Sequence, residues 1–192
     1  MERSNFFLRV LFGGLPLAAV VTLSIGFAYV AAQQAYRMNA NDPQIGLAED
    51  AANALAHGAE VTAVIPATQV EIDTSPSAYV IVYDSAGKPI AGNGALHGGA
   101  PVLPEGVLAA AHASGENRIT WEPQDGVRQA IVVVPYSHSD TSGFTNGYVM
   151  SGRSLSNTEK NIGNLTYMAE IALVASLLVT LILIALKELI AQ

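Results

Sequence analysis

Residues 79–90 read Tyr-Val-Ile-Val-Tyr-Asp-Ser-Ala-Gly-Lys-Pro-Ile, and this stretch organises the middle of the chain. Its first five residues are apolar on both faces, which is typical of a central β-strand. Asp84-Ser-Ala-Gly87 then predicts a turn in which Gly87 takes a positive φ, and Lys88 to Ala91 returns as a second strand. The stretch therefore predicts a β-hairpin within a sheet.

Further strands and helices surround this hairpin in the sequence. Alternating or continuous apolar character predicts three more strands, at residues 118–122, 127–136 and 147–153, with a polar loop at 137–146. Helical spacing together with Pro and Gly residues predicts a helix between Asp42 and Gly58, and a short helix between Pro104 and Gly115. The pattern therefore predicts an α+β domain with five strands.

Two long apolar segments flank this domain. Residues 10–32 would span about 34 Å as a helix, and residues 168–186 about 28 Å, against a hydrocarbon core of about 30 Å. Tyr167 and Lys187 mark the interfaces of the second segment, which is apolar all round. We predict transmembrane helices at 10–32 and 167–187. The alternative for the first is a signal peptide cleaved after Ala32, although its apolar core is longer than the usual 7–15 residues.

The charges at the two ends of the chain predict its topology. Arg3 and Arg9 precede the first span, and Lys187 follows the second, so the positive-inside rule places both termini in the cytoplasm. The predicted organisation is a cytoplasmic N-terminus at residues 1–9, an extracytoplasmic domain at 33–166 and a cytoplasmic tail at 188–192. Ser156 and Glu159 have the spacing of a capping box, which predicts one continuous helix from Ser156 into the second span.

Composition excludes several function classes. The chain carries a net charge of −7, and residues 33–166 hold thirteen acidic and six basic residues, so nucleic-acid binding is not expected. There are no cysteines, and no motif for phosphoryl or acyl transfer is present. We interpret the four histidines as ordinary surface or loop residues, because none has a partner at metal-ligand spacing. They are His57, His97, His112 and His138. We expect no enzyme activity, no cofactor and no metal.

Small residues recur at every fourth position in both apolar segments. The first segment has Gly14, Ala18, Thr22 and Gly26, and the second has Ala172, Ser176 and Thr180. Such residues allow helix backbones to approach closely in lipid, so they could pack the two helices together or build a dimer. The alternative is the ordinary abundance of small residues in membrane helices.

Glu170 is a carboxylate about one turn inside the second apolar segment, where a charge is costly unless it reaches the interface or finds a cation. Arg37 is the nearest candidate cation. We expect the two residues at the same membrane level, where they could form an ion pair.

The order of elements resembles an extracytoplasmic PAS-like or Cache-like sensor domain, as found in bacterial histidine kinases and chemoreceptors. Three stretches carry the resemblance: residues 79–90, the paired strands around Trp121 and Val132, and Gly152-Arg-Ser-Leu155 before the last helix. The resemblance implies a five-stranded antiparallel sheet with helices against one face, and location in the bacterial cytoplasmic membrane. It also implies a small-molecule pocket between the sheet and residues 92–113. Such receptors continue into output domains, whereas this sequence ends at Gln192, so we expect no output domain here.

Four residues of the domain could line a pocket for a small anionic ligand, since aromatic walls with one cation suit such a molecule: Tyr83, Trp121, Arg128 and Tyr136. The alternative is that the aromatic residues belong to the core and Arg128 is solvated. The expected function is a sensor-like or binding module that acts laterally on a partner membrane protein or on a second copy. The alternative is a structural or accessory subunit of a larger membrane complex.

Overall fold

The computed structural model describes residues 2–39, 42–140 and 143–190 and shows an α+β chain. The chain forms two compact units. One, which we call the helix pair, comprises Met1–Tyr36 and Lys160–Gln192, and the other, the sheet domain, comprises Arg37–Glu159. The elements, in chain order, are α1 (Glu2–Asn39), α2 (Asp42–Ala56), the 3-10 helix η1 (Val61–Val64), β1 (Val70–Glu71), β2 (Tyr79–Asp84), β3 (Pro89–Gly92), β4 (Gly94–Ala95), α3 (Val107–Ser114), β5 (Asn117–Trp121), β6 (Gln129–Asp140), β7 (Gly143–Ser154) and α4 (Ser156–Ile190).

The helix pair consists of the apolar parts of α1 and α4, which run antiparallel. Near one end, a Cβ atom added to Gly14 would come within 3.1 Å of the Ile184 Cδ1 atom. Near the other end, the hydroxyls of Tyr29 and Thr166 are 3.0 Å apart and form a hydrogen bond. Residue numbers therefore rise along one helix as they fall along the other.

Both helices are long and apolar enough to cross a membrane. Their large apolar side chains are mostly exposed, Phe27 to 78% and Leu183 to 60%, whereas a core helix of a soluble protein would bury them. α4 is continuous from Ser156 to Ile190, as the sequence predicts. The capping box predicted at its start is not formed. The Ser156 N–H donates to the Ser154 hydroxyl, and the Glu159 carboxylate pairs with Arg128 instead.

The sheet domain contains the predicted five-stranded antiparallel sheet, with strand order β3-β2-β7-β6-β5. The predicted hairpin at residues 79–90 is confirmed. One oxygen of the Asp84 carboxylate accepts hydrogen bonds from the backbone N–H groups of Ala86 and Lys88, at 2.9 and 2.8 Å. Gly87 adopts φ +81°, a conformation that glycine reaches without steric cost.

The sheet is covered on both faces, because β2 is apolar on both. On one face, Tyr79, Ile81 and Tyr83 pack with residues of α3. On the other face, Val80 and Val82 pack with residues of α2. The resemblance implied helices against one face only, and this expectation is wrong: a strand without a polar face needs an apolar cover on each side.

The ring of Tyr79 is held in a slot between two glycines. A Cβ atom at Gly94 would lie 2.3 Å from the ring, and a Cβ atom at Gly152, on the neighbouring strand β7, would lie 2.5 Å from it. Any side chain at either position would occupy space that the ring fills. The slot therefore fixes the ring in the core, where Tyr79 is 0% exposed.

A short parallel pair, β1 with β4, is joined by backbone hydrogen bonds, and the buried side chain of Asn93 lies next to it. The Asn93 amide oxygen accepts a hydrogen bond from the Val80 N–H, and its amide nitrogen donates to the Thr68 carbonyl, both at 2.7 Å. Asn93 thereby joins the segment before β1 to the central strand β2.

Strands β6 and β7 extend into the region that the sequence predicts as a polar loop. Ser137 pairs with Asn146, and His138 pairs with Thr145. Strand β2 ends at Asp84, which pairs with Gly147. The β6–β7 hairpin continues past this point without β2 beside it, so its side chains there need not be apolar. The loop prediction is wrong for residues 137–140 and 143–146, which continue the two strands, whereas residues 141 and 142 lie outside the described residues. The strands were not predicted here because a strand was expected to show an apolar face, which a two-stranded extension does not need.

Candidate functional site

Two of the four predicted ligand-binding residues lie in the core of the sheet domain. Tyr83 and Trp121 belong to the buried cluster on the α3 face, and they are 1% and 6% exposed. The Tyr83 hydroxyl donates to the Pro101 carbonyl at 3.3 Å. In this arrangement both aromatic rings stabilise the fold.

The other two predicted residues lie elsewhere in the domain. Tyr136 belongs to the cluster on the α2 face. Its ring lies over Gly147, where an added Cβ atom would be 2.9 Å from the Tyr136 hydroxyl. Arg128 forms an ion pair with Glu159 at 2.5 Å, and both side chains are close to half exposed. The structure therefore does not bring the four residues together around one ligand.

A surface cavity of about 340 Å³ is the strongest candidate for a ligand site in the sheet domain. It is lined by one residue of α3 and by neighbouring residues of β6 and β7: His112, Pro135, Tyr136, Ser137, Asn146, Gly147 and Tyr148. The register that pairs Pro135 with Tyr148 and Ser137 with Asn146 brings these two strand segments side by side. Five polar side chains thus line a single cavity.

The chemistry of this cavity suits a small polar molecule. Tyr136, Ser137 and Tyr148 carry hydroxyls, Asn146 an amide and His112 an imidazole, so the lining offers several hydrogen-bond donors and acceptors. Of these residues, only Tyr136 was predicted from the sequence to line a ligand site. The residues around it were missed because segment 137–146 was interpreted as a loop, and His112 lacks a nearby partner in the sequence.

Burial raises the pKa of three tyrosine hydroxyls in the domain. Desolvation raises the pKa of Tyr79 well above its usual range, and Tyr83 adds a smaller contribution. Burial alone raises the pKa of Tyr83 in the same direction. For Tyr136, burial raises the pKa first, and the nearby Asp84 carboxylate raises it further. All three hydroxyls therefore stay protonated to a higher pH than an exposed tyrosine does.

The other histidines make local contacts. The imidazoles of His57 and His138 donate to the Asn53 and Ala56 carbonyls, at 2.8 and 3.0 Å, near the end of α2. His97 donates to the Gln124 side-chain oxygen at 2.6 Å. Across the described parts of the chain, no three His, Asp or Glu side chains converge as metal ligands.

A second candidate site lies within the helix pair. A cleft of about 290 Å³ opens between α1 and α4, lined by Thr22, Ile25, Gly26, Tyr29, Thr166, Ala169, Glu170 and Leu173. Of the small residues noted in the sequence, Gly14, Ala18 and Thr180 line a separate cleft of about 180 Å³. Ser176 and Thr180 donate their hydroxyls to carbonyls one turn earlier in α4, and Ala172 is exposed. Their role in packing stays a prediction.

Comparison with protein-family models, curated proteins and solved structures gives no match to this chain. The function must therefore be argued from the two units and their candidate sites.

Proposed function

We propose that this chain is a two-pass membrane protein whose sheet domain is a non-enzymatic binding module on the extracytoplasmic side. One observation carries the proposal: the helix pair is built from both ends of the chain, and the sheet domain from the residues between them. Two apolar helices packed antiparallel return the chain to the side of the membrane where it began. Everything between them then lies on the opposite side.

The direction of insertion follows from the terminal charges. Arg3 and Arg9 before the first span, and Lys187 after the second, favour cytoplasmic termini. The sheet domain carries most of the acidic residues and is long enough to be translocated regardless of its charge. The location that fits is the bacterial cytoplasmic membrane.

Within this proposal the sheet domain is a PAS-like or Cache-like sensor that acts laterally on a partner membrane protein. The five-stranded antiparallel sheet and the polar cavity at His112 and Asn146 support it. The helices on both faces depart from the expected arrangement. α4 supplies the physical link, because it begins at the end of β7 and continues without interruption into the apolar segment. Glu159 in its first turn forms an ion pair with Arg128, the residue before β6, and the N–H of Leu155, the residue before α4, donates to the Arg128 carbonyl.

An accessory subunit of a larger complex is the second candidate, and the filled core favours it. The anticipated pocket between the sheet and residues 92–113 is occupied by apolar side chains that pack on the core: Leu96, Leu103, Val107, Leu108 and Ala111. Val102, in the same segment, is 88% exposed. A filled interior leaves no room for a small molecule at this place, which favours a protein-binding role.

Topology can be tested with single cysteines, because the native chain has none. Ser85→Cys lies in the exposed turn after β2, and Ser4→Cys lies near the N-terminus. In intact cells, a membrane-impermeant maleimide should label Ser85→Cys and should label Ser4→Cys only after lysis. Labelling of Ser85→Cys only from the cytoplasmic side would contradict the proposed topology. A mature N-terminus near Gln33 would show instead that the first segment is a cleaved signal peptide.

Native mass spectrometry of the detergent-extracted protein separates the two candidate functions. A sensor should carry a bound small molecule that is lost in His112→Ala and Asn146→Ala but retained in His57→Ala, the matched control outside the cavity. An accessory subunit should co-purify with another membrane protein and should show no small-molecule adduct.

A further inference from the structure

The cleft between α1 and α4 holds a carboxylate that lacks a partner. Glu170 is exposed, and the described part of the chain offers its carboxylate neither a hydrogen bond nor an ion pair. The residues around it are mostly apolar or small. A Cβ atom at Gly26, on the facing helix, would meet nothing within 4 Å, so the space beside this glycine is open.

The pairing of the helices gives the depth of Glu170 in the proposed membrane span. The hydroxyls of Thr166 and Tyr29 form a hydrogen bond. Glu170 follows Thr166 by one turn of α4 and lines the same cleft as Ile25 and Gly26. Gly26 lies six residues, about 9 Å, inside the end of the first predicted span at residue 32. Glu170 lies about 5 Å inside the second span, which begins at residue 167. A carboxylate at such a depth is costly unless it reaches the interface or a cation accompanies it.

This chain cannot supply that cation from a span of its own. Residues 10–36 and 161–186 contain no Lys or Arg. Lys160 precedes Glu170 by ten residues, about 15 Å along α4. A second copy of the chain has the same spans and would bring another Glu170 of equal charge. Self-association through this cleft would therefore increase the electrostatic cost.

We propose that the Glu170 cleft is the docking site for a transmembrane helix of a different membrane protein, one that carries a Lys or Arg at this depth. The proposal rests on the two-pass topology. The long basic side chain enters the space left open by Gly26, and its charged end pairs with the Glu170 carboxylate. The hydroxyls of Tyr29 and Thr166, at the outer end of the cleft, lie nearby as further polar groups.

The test uses the full-length protein in native membranes, with a photoreactive phenylalanine analogue at Phe27. This residue neighbours Gly26, is 78% exposed and is similar in size to the analogue. The variants compared are Glu170→Gln, Glu170→Lys, Arg37→Gln and Glu188→Gln, the last being the matched control on α4 beyond the apolar segment. Maleimide labelling at Ser85→Cys in every variant verifies insertion, so a failure of topology is distinguishable from a failure of docking.

We expect the probe to capture a polypeptide other than this chain with Lys or Arg in a membrane span. Capture should fall about thirty-fold or more in Glu170→Gln and Glu170→Lys, the effect of removing one partner of a buried charge pair. It should be unchanged in Glu188→Gln and Arg37→Gln. Replacing the captured protein's basic residue by Glu should restore capture by Glu170→Lys.

Four results would overturn the proposal while leaving the topology intact. They are equal capture by Glu170→Gln, crosslinks only to lipid or to a second copy, a captured protein without a basic residue in its span, and a loss in Arg37→Gln equal to that in Glu170→Gln. The last result would place the cation within this chain.

Discussion

Tyr79 and Tyr83 provide a matched pair for testing how the core of the sheet domain is stabilised. Both rings lie on the same face of β2 in the same buried cluster. The Tyr83 hydroxyl donates to Pro101, whereas the Tyr79 hydroxyl is buried and has no hydrogen-bond partner among the described residues. Replacing each tyrosine with phenylalanine removes one hydroxyl and keeps the ring.

The two substitutions should have opposite effects on the free energy of unfolding. An unsatisfied buried hydroxyl costs about 1–3 kcal/mol, so Tyr79→Phe should stabilise the domain by about 1 kcal/mol once the lost contacts are deducted. Tyr83→Phe loses a hydrogen bond and leaves the Pro101 carbonyl unsatisfied, so it should destabilise the domain by about 1 kcal/mol. With a urea dependence of about 2 kcal/mol per M, the two unfolding midpoints should differ by about 1 M.

Trp121 makes the measurement direct. It is the single tryptophan of the chain and lies in the same cluster, 6% exposed, so its fluorescence reports unfolding of this domain in the detergent-solubilised protein. If Tyr79→Phe is destabilised as much as Tyr83→Phe, the reasoning is refuted, because the Tyr79 hydroxyl would then have an ordered partner such as a buried water.

Three further predictions use the same assay, with Gly99→Ala as a common control, because a Cβ atom at Gly99 would meet nothing within 4 Å. Gly94→Ala should destabilise the domain by about 1–3 kcal/mol or more, since the new methyl group would overlap the Tyr79 ring; a loss within 0.5 kcal/mol of the control would refute the slot. Asn93→Ala should cost about 2–3 kcal/mol, because two backbone groups lose their buried partner; an unchanged midpoint would contradict this role. The free energy of unfolding should be constant up to about pH 10 and should fall at higher pH. The cause is that folding raises the pKa of Tyr79 and Tyr83, so above pH 10 only the unfolded chain ionises these phenols. Each of the two residues should contribute up to about 1.4 kcal/mol per pH unit to the fall. Tyr79→Phe should lower that slope by up to about 1.4 kcal/mol per pH unit, and a flat profile to pH 11 would show that neither hydroxyl is protected.

The local signals in the sequence predicted most elements of the fold. The turn from Asp84 to Gly87 was predictable because its causes lie within four residues. The Asp84 carboxylate accepts a backbone hydrogen bond, and Gly87 takes a positive φ. The short helix that ends at Gly115 was predictable for the same reason, since Gly115 takes φ +82° after the last turn. Such features depend on neighbours in the sequence and not on tertiary contacts.

The features that depend on distant residues were not predicted. The parallel pair of Val70 with Gly94 is two residues long, so it leaves no periodic pattern. The surface cavity joins His112 to Asn146 through the packing of α3 on an extended hairpin. For Tyr83 and Trp121 the sequence left a ligand site and the core as alternatives, and both residues lie in the core, where their large apolar area stabilises the fold most.

The slot around Tyr79 has a consequence for how this sequence can diverge. The ring, Gly94 and Gly152 share one volume, although they lie on three different strands. A mutation that enlarges either glycine is harmful while the ring remains, and shrinking the ring alone leaves a hole. Among descendants of this sequence the three positions should therefore change in a fixed order, with the tyrosine reduced first and a glycine enlarged afterwards. The present combination therefore resists a single substitution at any of the three positions.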